Sequence, residues 1–485
     1  MSIKEDLAKV LNKDAVVDDA GTLLSYAGDQ SFVEPRRPDA VVYAETVQQV
    51  QEVVRWANRT LTPVVPYSSG LNLHGAAVPR QGGIILNMSR MSKILEISQD
   101  NWHCVIEPGV TARQMQDALA GKGLRAMLPF GIPPERSVLT SFLERDPSVA
   151  AVSFEYGNEL IMDMELVLPD GELLRTGLWS AGGSPGSPMG PVRAMLNRFW
   201  TGAQGTLGIV TKMNLKVEHM PKARKLFMIA FDSFPEVLDP LRMILRRELG
   251  TEVLLFNTIN LAALACRDWT VPGEFPARRI ASDEFAALRR QLPEWVLAVC
   301  IEGGPRQPEG KIAYEEMALQ EVCAATHLSL YDNSWLREML LEDMLRPWGM
   351  LKKFCYRGAV HDLSFKAPLR RFPDYQKIVL AATNQYDYPM RDIGITFIPV
   401  ERGRAFHCQV DFHCDPLDAA DQSRTRSMWL EASRQMIDNG ACFDRPYGAW
   451  SDMVYSRAGA YTRKLQELKR ELDPHNILNP GQLCF

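Results

Sequence analysis

The amino-acid sequence predicts an α+β fold with more than one domain, and three observations support this prediction. The chain has 485 residues, and at about 150 residues per domain this length suggests two or three domains. Up to Pro221, short apolar runs that end in polar, Gly or Pro residues alternate with helical patterns. Beyond Pro221, longer helical patterns mix with strand-like stretches, which indicates a separate α+β domain.

The first pattern begins at Pro38 and predicts a β-α-β unit. The apolar run AVVYA predicts a strand. A helix is predicted next, because Val47, Val50, Val53 and Val54 follow the spacing of one helix face. The run PVVP predicts a second strand, which leads directly into the turn YSSG.

The next segments predict three more strands, a helix and a hairpin. The runs GGIILNMS, KILEIS and HCVIEPGV are each short, apolar and ended by polar, Gly or Pro residues. TARQMQDALAGKG predicts a helix that ends at glycine. In MELVLPDGELLRTG, Pro-Asp-Gly supplies turn residues between two apolar runs, which is typical of a hairpin.

The second part of the chain predicts longer helices. They lie in EFAALRRQLPEWVLAV, KIAYEEMALQEVCAATH and SRTRSMWLEASRQMIDNG, while LFMIAFD and FHCQVDFH predict strands. After residue 450 the tail returns to a helix, AYTRKLQELKRELD, followed by PHNILNPGQLCF.

Composition and charge narrow the function classes. A formal charge of −5 gives no electrostatic reason to expect a nucleic-acid partner. The N-terminus carries charges where a secretory signal needs an apolar stretch, and no window approaches the ~20 apolar residues of a membrane span, so we expect a cytoplasmic protein. The nine cysteines are scattered without CxxC spacing, which argues against a disulfide framework, a zinc site or an iron–sulfur cluster and predicts mostly buried thiols.

The turn after the second strand has the composition of an anion site. Ser68, Ser69 and Gly70 have minimal side chains, so that successive backbone N–H groups can converge on a phosphate. An ordinary surface turn is the alternative, because neither GxGxxG nor GxxxxGK[ST] accompanies it.

The order of motifs adds a family resemblance. The turn is followed by VIEPGVT, SVLTSFLERD, MELVLPDGELLRTG, GAQGTLGIVTKMNL and a terminal DPHNILNPG. In this order the chain resembles the flavoproteins of the vanillyl-alcohol oxidase and p-cresol methylhydroxylase (PCMH) superfamily. The resemblance implies a two-lobed PCMH-type FAD-binding domain over residues 1–221, an inserted α+β cap domain over 222–450, and a C-terminal segment, 451–485, that returns to the FAD domain.

The resemblance also implies which residues bind FAD. The diphosphate would lie on the turn, SVLTSF would approach the flavin, TLGIVT would hold the adenine side, and ILNPG would close the site. The residues expected to bind FAD are Tyr67, Ser68, Ser69, Gly70, Leu71, Asn72, Ser137, Thr140, Ser141, Ile209 and Asn479.

Covalent attachment of the flavin is a separate question. Relatives that link the flavin directly after the small-residue turn use a histidine, and this chain has Leu71 there, which excludes that linkage. RAFHCQVDFH resembles the region of phenol-oxidising relatives that carries a linking histidine, so His407 is a candidate, with Cys408 as the alternative one residue on. His407 could equally be a partly buried strand histidine, and Phe406 and Phe412 are expected in the core.

Candidate catalytic residues are His74, Tyr447, Tyr455 and His407. His74 follows the turn and either accepts a proton from the substrate or makes a structural hydrogen bond to the flavin loop. Tyr447 lies where phenol-oxidising relatives have a Tyr-Arg pair, but Gly448 follows it here. Arg402, Arg404 and Arg445 are the arginines that could compensate, and Ile132 stands where these relatives have an acidic residue near the flavin.

The resemblance implies an FAD-dependent oxidase or dehydrogenase. It would take a hydride from an oxygen-activated carbon, in a benzylic alcohol or a para-alkyl phenol, onto flavin N5. The alternatives are a 2-hydroxy-acid dehydrogenase and a flavin-binding electron-transfer subunit of a larger complex. Against the hydroxy-acid branch, the chain lacks the HxGDGNxH metal site of those relatives, and we expect no metal. Electrons would pass to oxygen or to a separate cytochrome or iron–sulfur protein, and the resemblance suggests a homodimer.

Overall fold

A computed structural model describes residues 3–71, 74–153, 160–183, 196–267, 269 and 283–485. Their strands form a four-stranded, a five-stranded, a two-stranded and a six-stranded sheet. Helices cover the sheets, which confirms the α+β prediction. None of the helices in the described ranges has a stretch long and apolar enough to span a bilayer.

The first sheet contains the predicted β-α-β unit. Its strands are β1 (Val16–Val17), β2 (Ala40–Tyr43), β3 (Val64–Tyr67) and β4 (Ile84–Asn87), in the order β1-β2-β4-β3. Strands β2 and β3 both pair in parallel with β4. The turn YSSG therefore leaves the sheet at the carboxyl end of a parallel strand, where ligands bind in open α/β sheets.

The second sheet is antiparallel, with the order β5-β6-β10-β8-β9. Its strands are β5 (Ile94–Ser98), β6 (His103–Ile106), β8 (Ile161–Val167), β9 (Leu173–Arg175) and β10 (Ile209–Lys216), while β7 (Leu124–Arg125) pairs with β11 (Glu218–His219) outside it. The predicted hairpin is confirmed, because β8 and β9 pair antiparallel across the turn that contains Gly171.

The third sheet is built from strands between residues 223 and 414 and is also antiparallel. Its strands are β12 (Ala223–Phe231), β13 (Glu252–Asn257), β14 (Trp295–Gly303), β15 (Ala359–Ala367), β16 (Gly394–Val400) and β17 (Ala405–Cys414), in the order β12-β14-β13-β16-β17-β15. Alternate residues of β17, among them Phe406 and Phe412, belong to the hydrophobic core of this part, as predicted.

The helices follow in chain order. They are α1 (Ile3–Leu7), α2 (Ala20–Ser25), α3 (Val47–Thr60), α4 (Ala112–Ala120), α5 (Val138–Leu143), α6 (Asn197–Trp200), α7 (Phe234–Arg246), α8 (Thr258–Ala265), α9 (Asp283–Gln291), α10 (Pro308–Ala325), α11 (Ser334–Leu345), α12 (Phe372–Gln385), α13 (Ala419–Asp438), α14 (Trp450–Tyr455) and α15 (Gly459–Leu472). Short 3-10 helices lie at Lys13–Ala15, Gly177–Ala181, Gly349–Cys355, Leu369–Arg371, Met390–Asp392 and Glu401–Gly403.

One helix prediction was wrong in its second half. The segment EFAALRRQLPEWVLAV is helical only as far as Gln291, and Trp295 begins strand β14. Pro293 has no backbone N–H and disfavours helical geometry in the residue before it, so it ends the helix. The following WVLAV is fully buried between β12 and β13, and periodicity alone cannot distinguish such a run from a helix.

The C-terminal tail packs against the first sheet. The backbone N–H of Val64 donates to the carbonyl of Ile477, and the N–H of Asn479 donates to the carbonyl of Val64. The tail therefore extends the sheet beside β3, next to the turn. All nine cysteines are free thiols and seven of them are buried, which confirms the prediction of mostly buried thiols.

Candidate active site

The turn after β3 is fixed to helix α5 by two hydrogen bonds. The hydroxyl oxygens of Ser68 and Thr140 lie 2.7 Å apart, and the backbone N–H of Ser137 donates to Ser69 Oγ over 3.0 Å. Ser137 caps α5, since its Oγ accepts from the N–H of Thr140 and donates to the carbonyl of Pro108. Two motifs far apart in sequence thus meet at one place.

The backbone of this turn fits an anion. In the described ranges, the N–H groups of Ser68, Ser69, Gly70 and Leu71 donate to no protein acceptor. Gly70 has a φ of 64°, and a Cβ there would overlap the Tyr67 ring. Unused donors on a turn without bulky side chains form the kind of nest that binds phosphate. Asn72, also expected to bind FAD, lies outside the described residues.

A narrow cavity of about 100 Å³ runs from this turn toward the second sheet. Most of the residues expected to bind FAD line it, namely Tyr67, Ser68, Ser69, Gly70, Leu71, Thr140 and Ile209. Gln204 also lines it, and both polar atoms of its buried side-chain amide lack a hydrogen-bond partner among the residues that the structure describes. Buried polar atoms without partners are costly and point to a polar ligand.

Three other expected residues support this cavity from behind. Ser137 and Ser141 are fully buried, and the Ser141 hydroxyl donates to the carbonyl of Ser137. Asn479 donates from its side-chain amide to the carbonyls of Ala76 and Gln204, at 3.0 and 2.8 Å, and both of these residues line the cavity. Asn479 thereby ties the C-terminal tail to the cavity wall.

A larger cavity of about 470 Å³ adjoins the narrow one, and Tyr67, Gly70 and Leu71 line both. One wall is apolar and combines loop residues with a 3-10 helix and β16. It includes Phe130, Ile132, Met350, Leu351, Phe354 and Ile398. The turn therefore stands between a channel suited to a cofactor and a chamber large enough for a small organic molecule.

Two arginines form a positively charged end of the large cavity. Asp146 makes ion pairs with Arg136, at 3.0 Å, and with Arg445. Arg445 also donates to the Ser364 hydroxyl, and its pKa is lowered to about 10 by burial. Among the described residues, the Nε atoms of both arginines have no hydrogen-bond partner. Two guanidinium groups and the Asp146 carboxylate line this end of the cavity, while Glu144, whose carboxyl group also acts on both arginines, lines the narrow cavity instead.

Arg445 is the compensating arginine that reaches the cavity. Arg402 pairs with Glu248 at the surface, and Arg404 is exposed. Arg136 and Asp146 were not among the predicted site residues, although Arg136 directly precedes the motif SVLTSFLERD and Asp146 ends it. Their position at the two ends of a motif expected to approach the flavin was the signal that could have identified them. Ile132 lines the cavity where relatives have an acidic residue.

His74 lines the large cavity and also a third, small cavity of about 30 Å³. Its ring centroid lies 6.1 Å from that of Tyr447 and 5.7 Å from that of Trp450. Burial, together with the nearby charges of Arg445 and Arg136, lowers the pKa of His74 to about 3. The imidazole is therefore neutral at physiological pH.

Tyr447 is buried beside Glu144, which lines the narrow cavity. The Tyr447 hydroxyl has no hydrogen-bond partner among the described residues. Burial raises the pKa of Tyr447 well above its usual range, and burial also raises the pKa of Glu144, against the opposing effect of Arg136. Tyr455, in contrast, is absent from the linings of these three cavities. Its catalytic role stays a prediction.

The two candidates for flavin attachment lie on opposite faces of β17. His407 is buried and lines the large cavity, and its Nδ1 has no hydrogen-bond partner. Burial lowers the pKa of His407 to about 4. Cys408 points into the hydrophobic core on the other face, where burial raises the pKa of its thiol.

A polar stripe along β17 and β15 was not predicted. Lys353, Asp362 and Gln409 line the large cavity, and Lys353 Nζ lies 2.8 Å from Asp411 Oδ1. The alternation His-x-Gln-x-Asp-x-His in β17 was the signal, because alternate residues of a strand share one face. Lys353 carries no comparable signal, since it lies in a 3-10 helix.

One cluster of carboxylate and thiol groups has the spacing of metal ligands within the described part of the chain, namely Glu252, Cys300 and Glu302. Its carboxylates are engaged by arginines. Arg125 donates to Glu302 over 2.7 Å, and Arg224 donates to Glu252 over 2.6 Å. These groups therefore form a buried ion-pair network away from the cavities described above.

Comparison with known proteins shows a domain match and a similar fold. Residues 38–177 match a family model described as an FAD binding domain. Over 99% of this chain and 95% of the other, the fold matches the crystal structure of p-cresol methylhydroxylase with substrate bound, with a TM-score of 0.82 and 22% identity. The chain is therefore similar in fold to p-cresol methylhydroxylase over almost its whole length, and residues 38–177 match an FAD binding domain.

Curated relatives of this chain carry different substrate names. The 4-cresol dehydrogenase [hydroxylating] flavoprotein subunit of Pseudomonas putida is 27% identical and covers 98% of this chain and 93% of its own length. The D-2-hydroxyglutarate dehydrogenase of Stutzerimonas stutzeri (strain A1501) is 23% identical, over 99% and 98% of the two chains. The protein is thus an FAD-dependent oxidoreductase, and the choice of substrate depends on its own cavity.

Proposed function

We propose that the protein oxidises a phenolic compound, a benzylic alcohol or a para-alkyl phenol, by taking a hydride from the oxygen-activated carbon onto flavin N5. The observation that supports this proposal is the large cavity, with an apolar wall that includes Phe130 and Phe354 and a cationic end formed by Arg136 and Arg445. An aromatic ring suits the wall, and a phenolate oxygen suits the cationic end. Bound FAD supplies the two-electron acceptor.

The cofactor would be held by the turn and the narrow cavity. The free N–H groups of Ser68 to Leu71 suit the diphosphate, and Thr140 and Ile209 line the channel that continues from the turn. His407 faces the large cavity with a neutral imidazole, whereas Cys408 does not face it. We therefore infer that His407 is the attachment residue for covalent flavin.

The substrate-binding groups have separate parts in this proposal. Arg445 and Arg136 stabilise the negative charge that the substrate oxygen carries after its O–H proton is lost and before the hydride leaves the carbon. Tyr447 has a buried hydroxyl beside Glu144 and near both arginines, and it supplies a further hydrogen-bond donor at this end. His74 stays neutral beside the two arginines, so it orients the substrate through hydrogen bonds.

A 2-hydroxy-acid substrate is the second candidate, and the same pair of arginines favours it, because guanidinium groups bind carboxylates well. The relatives include a D-2-hydroxyglutarate dehydrogenase by name. The apolar wall of six or more side chains favours the phenolic substrate. A flavin-binding electron-transfer subunit is a third alternative, and its flavin would not be reduced by any of these organic donors.

Anaerobic flavin reduction tests the proposal. Purified protein is mixed with 4-hydroxybenzyl alcohol, with 4-ethylphenol and with D-lactate, and flavin absorbance is followed. We expect the phenolic donors to bleach the flavin and D-lactate to leave it oxidised. In Arg445→Gln the donor concentration for half-maximal rate should rise about 10-fold or more, as for loss of a charged hydrogen bond, while exposed Arg404→Gln serves as the control. Bleaching by D-lactate alone, or by no donor, contradicts the proposal.

A further inference from the structure

The carboxylates near the large cavity differ in whether they form an ion pair with an arginine or lysine side chain. Asp146 is paired with Arg136 and Arg445, and Asp411 is paired with Lys353. Asp362 lines the same cavity, and in the described part of the chain its carboxylate makes no ion pair or side-chain hydrogen bond. Of these three carboxylates, the one of Asp362 therefore has oxygens that remain available to a ligand.

Asp362 and His74 both line the large cavity and the small third cavity, as Val360 does. Asp362 lies in β15 opposite Asp411 of β17, and its own carbonyl accepts a 2.8 Å hydrogen bond from Trp429 Nε1. The strand register and this hydrogen bond hold the residue at the junction of the two cavities.

We propose that Asp362 is the proton acceptor of the oxidation, an assignment that deepens the proposed function and rests on it. For an alcohol donor, the substrate O–H bond breaks and its proton goes to the Asp362 carboxylate. The electron pair of that bond forms the carbonyl, and the adjacent C–H bond breaks with transfer of its hydrogen and both electrons to the oxidised flavin. Asp362 ends as a carboxylic acid, and it returns the proton to water after product release.

The charges around His74 and Asp362 give the two side chains different pKa values and therefore different abilities to accept a proton. His74 is near Arg136 and Arg445, which with burial keep its pKa at about 3, so it is a poor proton acceptor. Burial and the neighbouring charge of Asp411 raise the pKa of Asp362 to about 6, against the opposing effect of Lys353. A carboxylate with that pKa is ionised at pH 7 and is a far better base than an ordinary surface carboxylate.

The raised pKa of Asp362 also predicts how the rate of flavin reduction depends on pH. Because the base must be ionised, flavin reduction should lose rate as the pH falls through about 6, with a single proton involved. The charged groups that act on Asp362 are Asp411 and Lys353, while His74, His407 and Arg445 line the same cavity. His74 and His407 have pKa values of about 3 and 4, below this window.

The test compares Asp362→Asn and Asp362→Glu with wild type in anaerobic flavin reduction by 4-hydroxybenzyl alcohol from pH 5 to pH 9. General-base catalysis contributes about 10²–10⁴-fold, so we expect Asp362→Asn to reduce flavin at least 100-fold more slowly and to lose the acidic limb. Asp362→Glu should restore part of the rate. Asp374→Asn, an exposed carboxylate on α12, should leave the rate unchanged.

A second measurement does not depend on turnover. Difference infrared spectroscopy of the oxidised holoprotein should show one carboxylic-acid C=O band that appears as the pH falls through about 6 and is absent in Asp362→Asn. The flavin spectrum of the variant, unchanged from wild type, reports that it folds and binds cofactor. Wild-type rates in Asp362→Asn, or an acidic limb that persists there, overturn the assignment. Wild-type flavin that no phenolic donor reduces overturns the proposed function instead, and the assignment with it.

Discussion

The hydroxyl oxygens of Ser68 and Thr140, 72 residues apart in the chain, lie 2.7 Å from each other. This contact joins the turn after β3 to the first turn of α5. Both residues also line the narrow cavity expected to hold FAD. The bond therefore couples the shape of the phosphate-binding turn to the helix beside it, and its loss should weaken cofactor binding more than it weakens the fold.

The change Thr140→Val tests this coupling, because valine keeps the side-chain shape and removes the hydroxyl. A typical hydrogen bond contributes about 1 kcal/mol, so FAD affinity should fall about fivefold. Fluorescence titration of the apoprotein with FAD measures it, in a His407→Ala background that keeps binding reversible. Thr326→Val is the matched control, since its hydroxyl bonds within α10, at the carbonyl of Val322. Equal affinities of the Thr140 variant and the control contradict the coupling.

Substitution of Gly70 should damage the turn in two ways. Gly70 and Gly440 both have positive φ, 64° and 87°. A Cβ at Gly440 meets open space, whereas one at Gly70 overlaps the Tyr67 ring. Either alanine variant should lose about 1 kcal/mol of unfolding free energy through backbone strain. Gly70→Ala should in addition lower FAD affinity at least 10-fold, and Gly440→Ala should leave it unchanged. Similar FAD titrations for both variants would show that the turn does not contact the cofactor.

Much of the fold is readable from sequence because local signals agree with tertiary packing. In the β-α-β unit, Thr46 and Gln49 form a capping box at the start of α3, and the apolar face of α3 lies in the core of the first sheet. The helix prediction failed for the segment after Pro293 because the strand there is buried on both faces. Its apolar residues therefore do not alternate with polar ones. Whether a strand is buried on both faces depends on neighbouring strands that are distant in sequence.

Residues of the candidate site could be predicted from the sequence only where they belong to a short motif that itself lines a cavity. The turn, Thr140 and Ile209 were found because they belong to short ordered motifs. Arg136, Lys353 and Asp362 come from three separate elements and meet only after folding. The chemical state of His74 was also beyond sequence, since its low pKa depends on burial and on Arg445, which is 371 residues away in the chain.

The two faces of β17 lead to a prediction about flavin attachment. We expect acid-precipitated protein to retain flavin, with the modification on His407, because its neutral imidazole faces the large cavity. Cys408 lies in the core on the other face, and burial keeps its thiol protonated. Mass spectrometry of the tryptic peptide 405–424 should locate the flavin.

Two variants separate the candidates for attachment. His407→Ala should release all its flavin on acid precipitation, whereas Cys408→Ala should retain it as wild type does. Visible absorbance of the washed precipitate gives the result directly. Retention in His407→Ala, or complete release from wild type, contradicts the prediction.

The buried imidazole of His413 should make the protein sensitive to acid. His413 is fully buried, and neither ring nitrogen has a hydrogen-bond partner in the part of the chain that the structure describes. Burial lowers its pKa to about 4 from the ordinary 6.5. Above pH 6.5 the ring is neutral in the folded and the unfolded chain. As the pH falls below 6.5, the unfolded chain binds a proton that the folded chain rejects until about pH 4, so stability falls across that window.

Comparison of wild type with His413→Leu isolates this contribution. The difference in proton binding between the folded and unfolded chains lowers the free energy of unfolding by about 2 kcal/mol at pH 5. The melting temperature of wild type should therefore fall relative to that of the variant between pH 7 and pH 5. His475→Leu is the control, because His475 is exposed, and its melting curve should run parallel to that of wild type. A constant difference between wild type and His413→Leu across this range would mean that His413 takes up its proton equally in both states. In that case the acid sensitivity of the fold would have to come from other buried groups.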